Sequence, residues 1–320
     1  MRALILMLVL MFGPVELLFG WGAEGHRAIA SLAQELISAK TQVKVQQLLN
    51  ECGDKDLVRA STWADEIREN AHLDRPRPED AEAFNLQFPN NPSWHFVNLP
   101  LGTKSFAETE PFIHGENDVI HAIERCIAVL EARESASGEL SRTQALRLLV
   151  HLAGDIHQPL HCGTGFYRLN ETELPVLVTD PAEAVGLPND RGGNDLFYGS
   201  KEELHALWDV GLVAEIADTF DFRSLVNVLR KEYLQRPWST TPGDYHHWAE
   251  TWALESVKVA NTAYAGIQFN SYETMGEPNS LWISILLPPG YEEQNRAVAA
   301  EQLAKAAVRL AQLLDRIRWP

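Results

Sequence analysis

Apolar residues return every three or four positions along most of this chain, and that spacing commits it to helices. Ala28–Leu49 reads as one amphipathic helix ending near Asn50. Thr62–Ala71 reads as a shorter one, and Ile113–Ala132 as a strong one. Ser141 to His157 is another, stopped by Pro159, which lacks a backbone N–H and cannot continue a helix. Lys201–Ala217 and Tyr245–Ala265 continue the pattern, and the Ala/Leu-rich stretch Asn295–Ile317 closes it. Strand-like runs are few: Trp94–Leu99, Val176–Thr179 and Leu281–Leu287. Residues 164–190, rich in Pro, Asn and acid, read as a surface insertion. No linker divides the chain. The expected architecture is therefore mainly α, one domain of many helices with a few short strands.

The 320 residues carry 27 Lys+Arg against 44 Asp+Glu, a formal net charge of −17. Proteins that coat nucleic acid need a basic face, because neutralising phosphates supplies their affinity. This balance argues against that class, but not against an enzyme that meets nucleic acid at one small cationic spot. Three cysteines allow one disulfide at most, so disulfides cannot be the framework. At the N-terminus, Arg2 precedes the apolar run Ala3–Phe12, broken by Gly13-Pro14, with Gly20 as a small residue before Trp21. Residues 1–20 read as a signal peptide cleaved after Gly20, despite the large Leu18 near the cut. The alternative is an uncleaved anchor, for which the run is short. Cleavage implies a secreted or periplasmic protein of unchanged charge. Asn170-Glu-Thr172 is a glycosylation sequon if the source is eukaryotic.

Eleven histidines are present, and some are placed suggestively. His151 and Asp155 sit four apart on one predicted helix, and His205 and Asp209 repeat the spacing on another. Residues four apart share a helical face, so each pair can aim two ligands at one point. Neutral imidazole and carboxylate are ordinary zinc ligands. His161 lies just past the helix-stopping Pro159. A lone pair of this kind is usually a surface ion pair, and spacing alone leaves that reading open. Taken singly, Asp65 reads equally as a first-turn acid and His95 as a half-buried strand residue.

Taken together, the pieces resemble a known family. In chain order they are Trp21-Gly-Ala-Glu-Gly-His26, Thr62-Trp-Ala-Asp65 with Arg68, and Trp94-His95-Phe96. Then come His151-Leu-Ala-Gly-Asp155-Ile-His-Gln-Pro-Leu-His161, Gly192-Gly193-Asn194 and Leu204-His205-Ala-Leu-Trp-Asp209. This set resembles the zinc-dependent S1/P1 nucleases, in the group shared with bacterial zinc phospholipase C. Trp252-Ala-Leu-Glu-Ser256 and Val308-Arg-Leu-Ala311 are similar but less specific.

The resemblance implies a phospholipase C/P1 nuclease-like fold and three zinc ions per chain. One zinc would be held by Asp65, His95, His151 and Asp155. A second would be held by the amine and carbonyl of Trp21, by His26 and by a bridging Asp155. The third would be held by His161, His205 and Asp209. On this reading cleavage after Gly20 serves activity as well as export. The implied chemistry is metal-assisted hydrolysis of phosphoesters, with Asp65, Arg68, Asp155 and Asn194 as the catalytic set. Arg68 either grips phosphate or pairs with Asp65 or Glu66. Asn194 either donates to phosphate or only fixes its turn. Phe96 either stacks on a nucleobase, worth about 1–3 kcal/mol, or is core. His157 reads as a hydrogen-bonding support for a ligand. Cys162, beside His161, reads as buried or disulfide-bonded rather than as a ligand.

The expected substrates are single-stranded DNA and RNA, cut to 5′-phosphorylated products, and 3′-nucleotides. The enzyme is expected to be a monomer without stable membrane association. A phospholipase C activity on the same scaffold is the alternative, disfavoured by aspartate rather than glutamate at position 209. A zinc-binding protein without turnover is a third reading. The chain departs from the family pattern in the length of its 164–190 segment, in Glu203 where Asn is frequent, and in its low cysteine count.

Overall fold

A computed structural model of the chain describes residues 21–68, 77–113, 115–132, 138–169, 174–217, 222–235, 238, 240–274 and 281–320. Residues 1–20 and Asn170–Thr172, on which the export and glycosylation expectations rest, lie outside these, as do His72 and His114. Seven long helices carry the structure: α1 (Gly22–Leu36), α2 (Ala39–Glu51), α3 (Val119–Glu131), α4 (Arg142–Asp155), α5 (Phe222–Gln235), α6 (Trp248–Tyr264) and α7 (Tyr291–Arg316).

At the centre is α4. Ser141 and Gln144 form a reciprocal capping box that fixes its start, and every residue from Ala145 to Asp155 is buried. A helix covered on all sides must have neighbours all round. Those neighbours include α1, α2, α3 and α7. Alanines 299, 300, 304, 306, 307 and 311 of α7 are buried, and their small side chains let α1, α5 and α7 pack closely. Among the described residues, no helix is long and apolar enough to cross a membrane.

The continuous helix expected over Ala28–Leu49 is two helices. Ile37 is extended, and the Ser38 hydroxyl accepts from the Thr41 amide, capping α2. The Ser38 amide and hydroxyl both donate to the Asp315 carboxylate of α7, which pins the corner. A cap of this kind is worth about 1 kcal/mol. The expected strand over Trp94–Leu99 is instead a 3₁₀ turn, Asn91–His95, opened by Pro92. Only Leu99–Pro100 (β1) pairs, in parallel with Gly163–Thr164 (β2). Phe166–Arg168 (β3) pairs antiparallel with Val176–Val178 (β4). Leu196–Tyr198 (β5), Glu202–Glu203 (β6), Gln268–Thr274 (β7) and Leu281–Leu286 (β8) form a sheet in the order β6-β5-β8-β7.

The segment 164–190 is not simply a surface insertion. Thr164, Phe166, Tyr167, Val178, Ala184 and Asp190 are buried, so its two ends form part of the core. Likewise Lys201–Ala217 is not one helix. A short turn at Leu204–Ala206 widens into a π-helical turn, Leu207–Gly211, before Leu212–Ile216. Such widened turns are frequent at functional sites, and Asp209 lies in this one. All three cysteines are free, so the disulfide alternative for Cys162 is not realised.

Candidate metal centre

The last turn of α4 gathers most of the sequence-predicted ligands. Asp155 is fully buried there. Its Oδ2 lies 3.0 Å from His95 Nδ1 and 3.1 Å from His151 Nε2, and its Oδ1 lies 3.2 Å from His26 Nε2. Asp65 Oδ1 approaches His151 Nε2 at 3.6 Å and His95 Nδ1 at 3.9 Å. Two ligand groups result, His26–His151–Asp155 and Asp65–His95–His151, with Asp155 also against His95. A third group, His161–His205–Asp209, closes beside them. Its imidazole Nε2 atoms are 3.2 Å apart, and His205 Nε2 is 3.2 Å from Asp209 Oδ2.

Local sequence explains how each ring is held. His151 Nδ1–H donates to the Ser61 carbonyl, His161 Nδ1–H to the His95 carbonyl and His205 Nδ1–H to the Gly192 carbonyl, each at 2.7 Å. A proton fixed on Nδ1 leaves Nε2 as the inward-facing lone pair, as metal-binding histidines require. Gln158, just before Pro159, donates from Nε2 to Asp209 Oδ1 at 2.7 Å. Gly154 makes room for His26: a Cβ there would lie 2.8 Å from His26 Nδ1. The rings of His26 and His151 stack at 3.8 Å. Trp21 is fully buried at the start of α1, and its indole N–H donates to the Gly154 carbonyl at 3.0 Å. This contact ties the beginning of α1 to the Asp155 turn.

A test of fit comes from atoms left without hydrogen bonds. Both ring nitrogens of His26, Asp65 Oδ1, Asp155 Oδ1 and Asp209 Oδ2 are buried and make none. Each such atom costs about 1–3 kcal/mol if nothing satisfies it. Ligands about 2.0–2.1 Å from a tetrahedral ion stand about 3.3 Å apart. The spacings of 3.0–3.2 Å around Asp155 and His205 match that edge. Buried imidazole and carboxylate groups at this spacing, five of whose atoms make no hydrogen bond, suit a divalent metal.

Charge in the cluster is uneven. Burial pushes His95 down to about 4, and the nearby Arg68 charge adds to this against Asp155. Burial opposes the charge on His151 as well, but Asp155 and Asp65 overcome it and hold that ring up to about 9. Burial works to raise Asp155, yet His151 and His161 outweigh it and keep the carboxyl well below its usual range.

The other predicted site residues divide. Arg68 lies against the cluster, with its guanidinium 3.8 Å from Asp65 Oδ1. Phe96 is not core. It is 37% exposed and lines a groove of about 480 Å³ with Asn98, Pro111, Phe112, Asn117 and Phe166. Asn194 is half-buried, and its amide donates to the Arg191 carbonyl at 2.7 Å, which holds its own turn. Among the described residues, the His157 ring bonds to none of the ligands. Its Nδ1–H donates to the Ala153 carbonyl, while Nε2 faces Arg309 of α7. Sequence reasoning missed Ser61, Gln158 and Gly192, because two of them act through backbone carbonyls that leave no side-chain signature. A fourth group, Glu124–His247–Glu250, lies at the surface, remote in sequence from the motifs.

Comparison with known proteins agrees with this geometry. The S1/P1 Nuclease family model matches residues 21–318. Endonuclease 2 of Arabidopsis thaliana is 24% identical over 315 residues, covering 93% of this chain and 90% of that protein. Nuclease S1 of Aspergillus oryzae is 25% identical over 314 residues, covering 94% and 93%. Nuclease P1 of Penicillium citrinum is 27% identical over 192 residues, covering 59% and 57%. The family match begins at Trp21 and takes in every ligand group of the α4 centre, so the chain belongs to the S1/P1 nuclease family.

Proposed function

We propose that this protein is a zinc-dependent phosphodiesterase that hydrolyses single-stranded DNA and RNA to 5′-phosphorylated products, with 3′-nucleotidase activity. The observation that carries the proposal is the sharing of one buried carboxylate, Asp155, by two ligand groups in which His26 Nε2, Asp65 Oδ1 and Asp155 Oδ1 make no hydrogen bond. Asp65, His95, His151 and Asp155 would hold one zinc. Trp21, His26 and Asp155 would hold a second, and His161, His205 and Asp209 a third. Bound zinc supplies a Lewis acid that polarises phosphoryl oxygen and makes water nucleophilic near neutral pH.

The remaining steps belong to the chain's own groups. The carbonyls of Ser61, His95 and Gly192 hold three of the rings in one tautomer, with Nε2 facing the cluster. Arg68, partly exposed beside Asp65, presents a guanidinium whose planar fork fits a phosphate. Phe96 offers a ring face at the edge of its groove for stacking on a base. Stacking tolerates every base but requires one that is unpaired, which supports single-stranded substrates. Three divalent ions against the aspartates 65, 155 and 209 leave a local positive surplus in a chain of charge −17. Phosphate is then drawn to one cleft while the outer surface repels it. Cleavage after Gly20 would export the protein and free the Trp21 amine.

A substrate panel with zinc content measured by mass spectrometry tests this reading. Single-stranded DNA, RNA and 3′-AMP should be hydrolysed, double-stranded DNA far more slowly, and phosphatidylcholine not at all. EDTA should remove activity and Zn²⁺ restore it. Full activity after thorough chelation would sink the zinc assignment, and preference for phosphatidylcholine would move the enzyme to the phospholipase branch.

A further inference from the structure

Below the turn that holds His205 lies a buried carboxylate with no part in the ligand sets. Asp190 is fully buried. Its Oδ1 accepts from the amides of Gly165 at 3.2 Å and Gly193 at 3.0 Å. The Tyr167 hydroxyl donates to Oδ2 at 2.7 Å, and the Tyr264 hydroxyl lies 2.9 Å from Oδ1 and 3.0 Å from Oδ2. The main chain joins in: the Asp190 amide donates to the Gly165 carbonyl and its carbonyl accepts from the Asp195 amide. Four donors from β2–β3, α6 and the turn itself therefore meet on one side chain.

The turn it grips is conformationally costly, and Asp190 adds to the local bonds it receives from Asn189, Asn194 and Asp195. Arg191, Gly192 and Gly193 have φ of 52°, 63° and 84°, three successive residues in the left-handed region. Glycine enters that region freely but loses the most conformational freedom on being fixed, and a non-glycine residue there is strained. The turn also presses on the loop bearing His161: a Cβ on Gly192 would lie 2.1 Å from the Leu160 carbonyl oxygen. From this turn come two contacts that help place His205, beside those its Nε2 makes with His161 and Asp209. The Gly192 carbonyl accepts from the ring Nδ1–H at 2.7 Å, and the Gly193 carbonyl accepts from the His205 amide at 3.3 Å. A shift of the turn would release the tautomer and the tilt of that imidazole together.

We propose that Asp190 is a positioning residue for the His161–His205–Asp209 metal group, acting through the Gly192–Gly193 turn by hydrogen-bond geometry rather than by its charge. The inference rests on the zinc reading above. The two amides and two hydroxyls that converge on Asp190 come from three separate parts of the chain, and their common destination is the segment that orients one ligand ring. Tyr167 and Tyr264 share the role from behind. Each donates to the carboxylate, and the pair bring β3 and α6 onto the same point.

The test is zinc stoichiometry and affinity per chain, read by mass spectrometry after equilibration in graded zinc buffers. His205→Ala identifies which ion belongs to this group. Asp190→Ala should keep the two ions around Asp155 at wild-type affinity and bind the third at least about tenfold more weakly. Asp190→Asn should hold the third ion within about threefold of wild type. Its oxygen still accepts both amides, and its NH₂ can donate to the tyrosine oxygens. Wild-type affinity for all three ions in a folded Asp190→Ala protein would overturn the inference. So would an Asp190→Asn protein as impaired as the alanine variant, since only charge would then matter. If Asp190→Ala does not fold, the Tyr167→Phe/Tyr264→Phe double variant replaces it. Several-fold weaker binding of the third ion alone is expected there, and unchanged binding overturns the role. A wild-type protein that holds no zinc would overturn the underlying reading instead.

Discussion

The α4 centre and the surface group Glu124–His247–Glu250 place imidazole and carboxylate atoms at nearly the same spacing. At the surface, His247 Nδ1 lies 3.1 Å from Glu124 Oε1 and 3.0 Å from Glu250 Oε1. In the centre, the corresponding distances to Asp155 run from 3.0 to 3.2 Å. Everything around those atoms differs. His151 and Asp155 have no exposed surface, whereas the His247 side chain is 63% exposed. The ring of His151 is fixed from behind by a backbone carbonyl, and that of His247 has no such bond among the described residues. His247 and its two glutamates satisfy one another as an ordinary ion-pair set, while the centre leaves five buried atoms without hydrogen bonds. Spacing alone therefore does not mark a metal site. Burial, a fixed tautomer and unsatisfied inward atoms do.

The largest expected effect falls on the shared carboxylate. Asp155→Asn keeps the shape but removes the charge common to two proposed zinc positions. It should lose both ions there and lower turnover by a factor on the order of a thousand. Zinc counting and single-turnover hydrolysis of single-stranded DNA would check this. Near-normal rates with full zinc content would show that the buried atoms are satisfied in some other way, and the contrast with the surface group would fail.

Next in size is a pH effect from a buried carboxylate outside the ligand sets. Burial pushes the Asp190 carboxyl up to about 6, against the pull of its four donors. In the unfolded chain the same group titrates near 3.9. Between these values the folded state holds a proton that the unfolded state has lost. The stability contribution is thus complete below about pH 4 and is lost as pH rises through 6, a fall of roughly 3 kcal/mol. Urea unfolding of wild type and Asp190→Asn at matched zinc should show this slope between pH 4 and 6 in the first protein and not in the second. Parallel profiles would mean that the carboxyl is ionised throughout.

A smaller effect belongs to Gln158, which orients Asp209 from behind. Gln158→Ala should weaken zinc at the His161–His205–Asp209 group by about tenfold and leave the other positions alone. An equal loss at all positions would make Gln158 a general support of the fold.

These contacts also show what the sequence could and could not reveal. The ligands were legible because chemistry restricts them to His and Asp at helical spacing, and His151, Asp155, His205 and Asp209 do come together as that spacing implies. The supports were not legible. Ser61 and Gly192 act through carbonyls that any residue carries, and Asp190 is visible only once Tyr167 and Tyr264 are folded onto it. Helix periodicity found α3, α4, α6 and α7 but ran through the Ile37–Ser38 corner, since the tie to Asp315 joins positions 277 residues apart. It also passed over α5, and it treated 164–190 as exterior because Pro, Asn and acid mask the apolar residues that enter the core.

The smallest expected effect tests the surface side of the comparison. Glu124 and Glu250 face His247 and raise its pKa, with the hydrogen bond to Glu124 as the main cause. A raised histidine contributes stability below its unfolded value of about 6.5 and loses that contribution as pH climbs through the folded value. Exposed pairs of this kind are worth about 0–1 kcal/mol and weaken in salt. His247→Ala should therefore leave zinc content and hydrolysis unchanged. Its destabilisation should stay under about 1 kcal/mol at pH 5.5 and shrink as pH rises through the folded value. Loss of one zinc per chain in this variant would mean that the same spacing holds metal at an exposed site. Burial would then cease to be what separates the two groups.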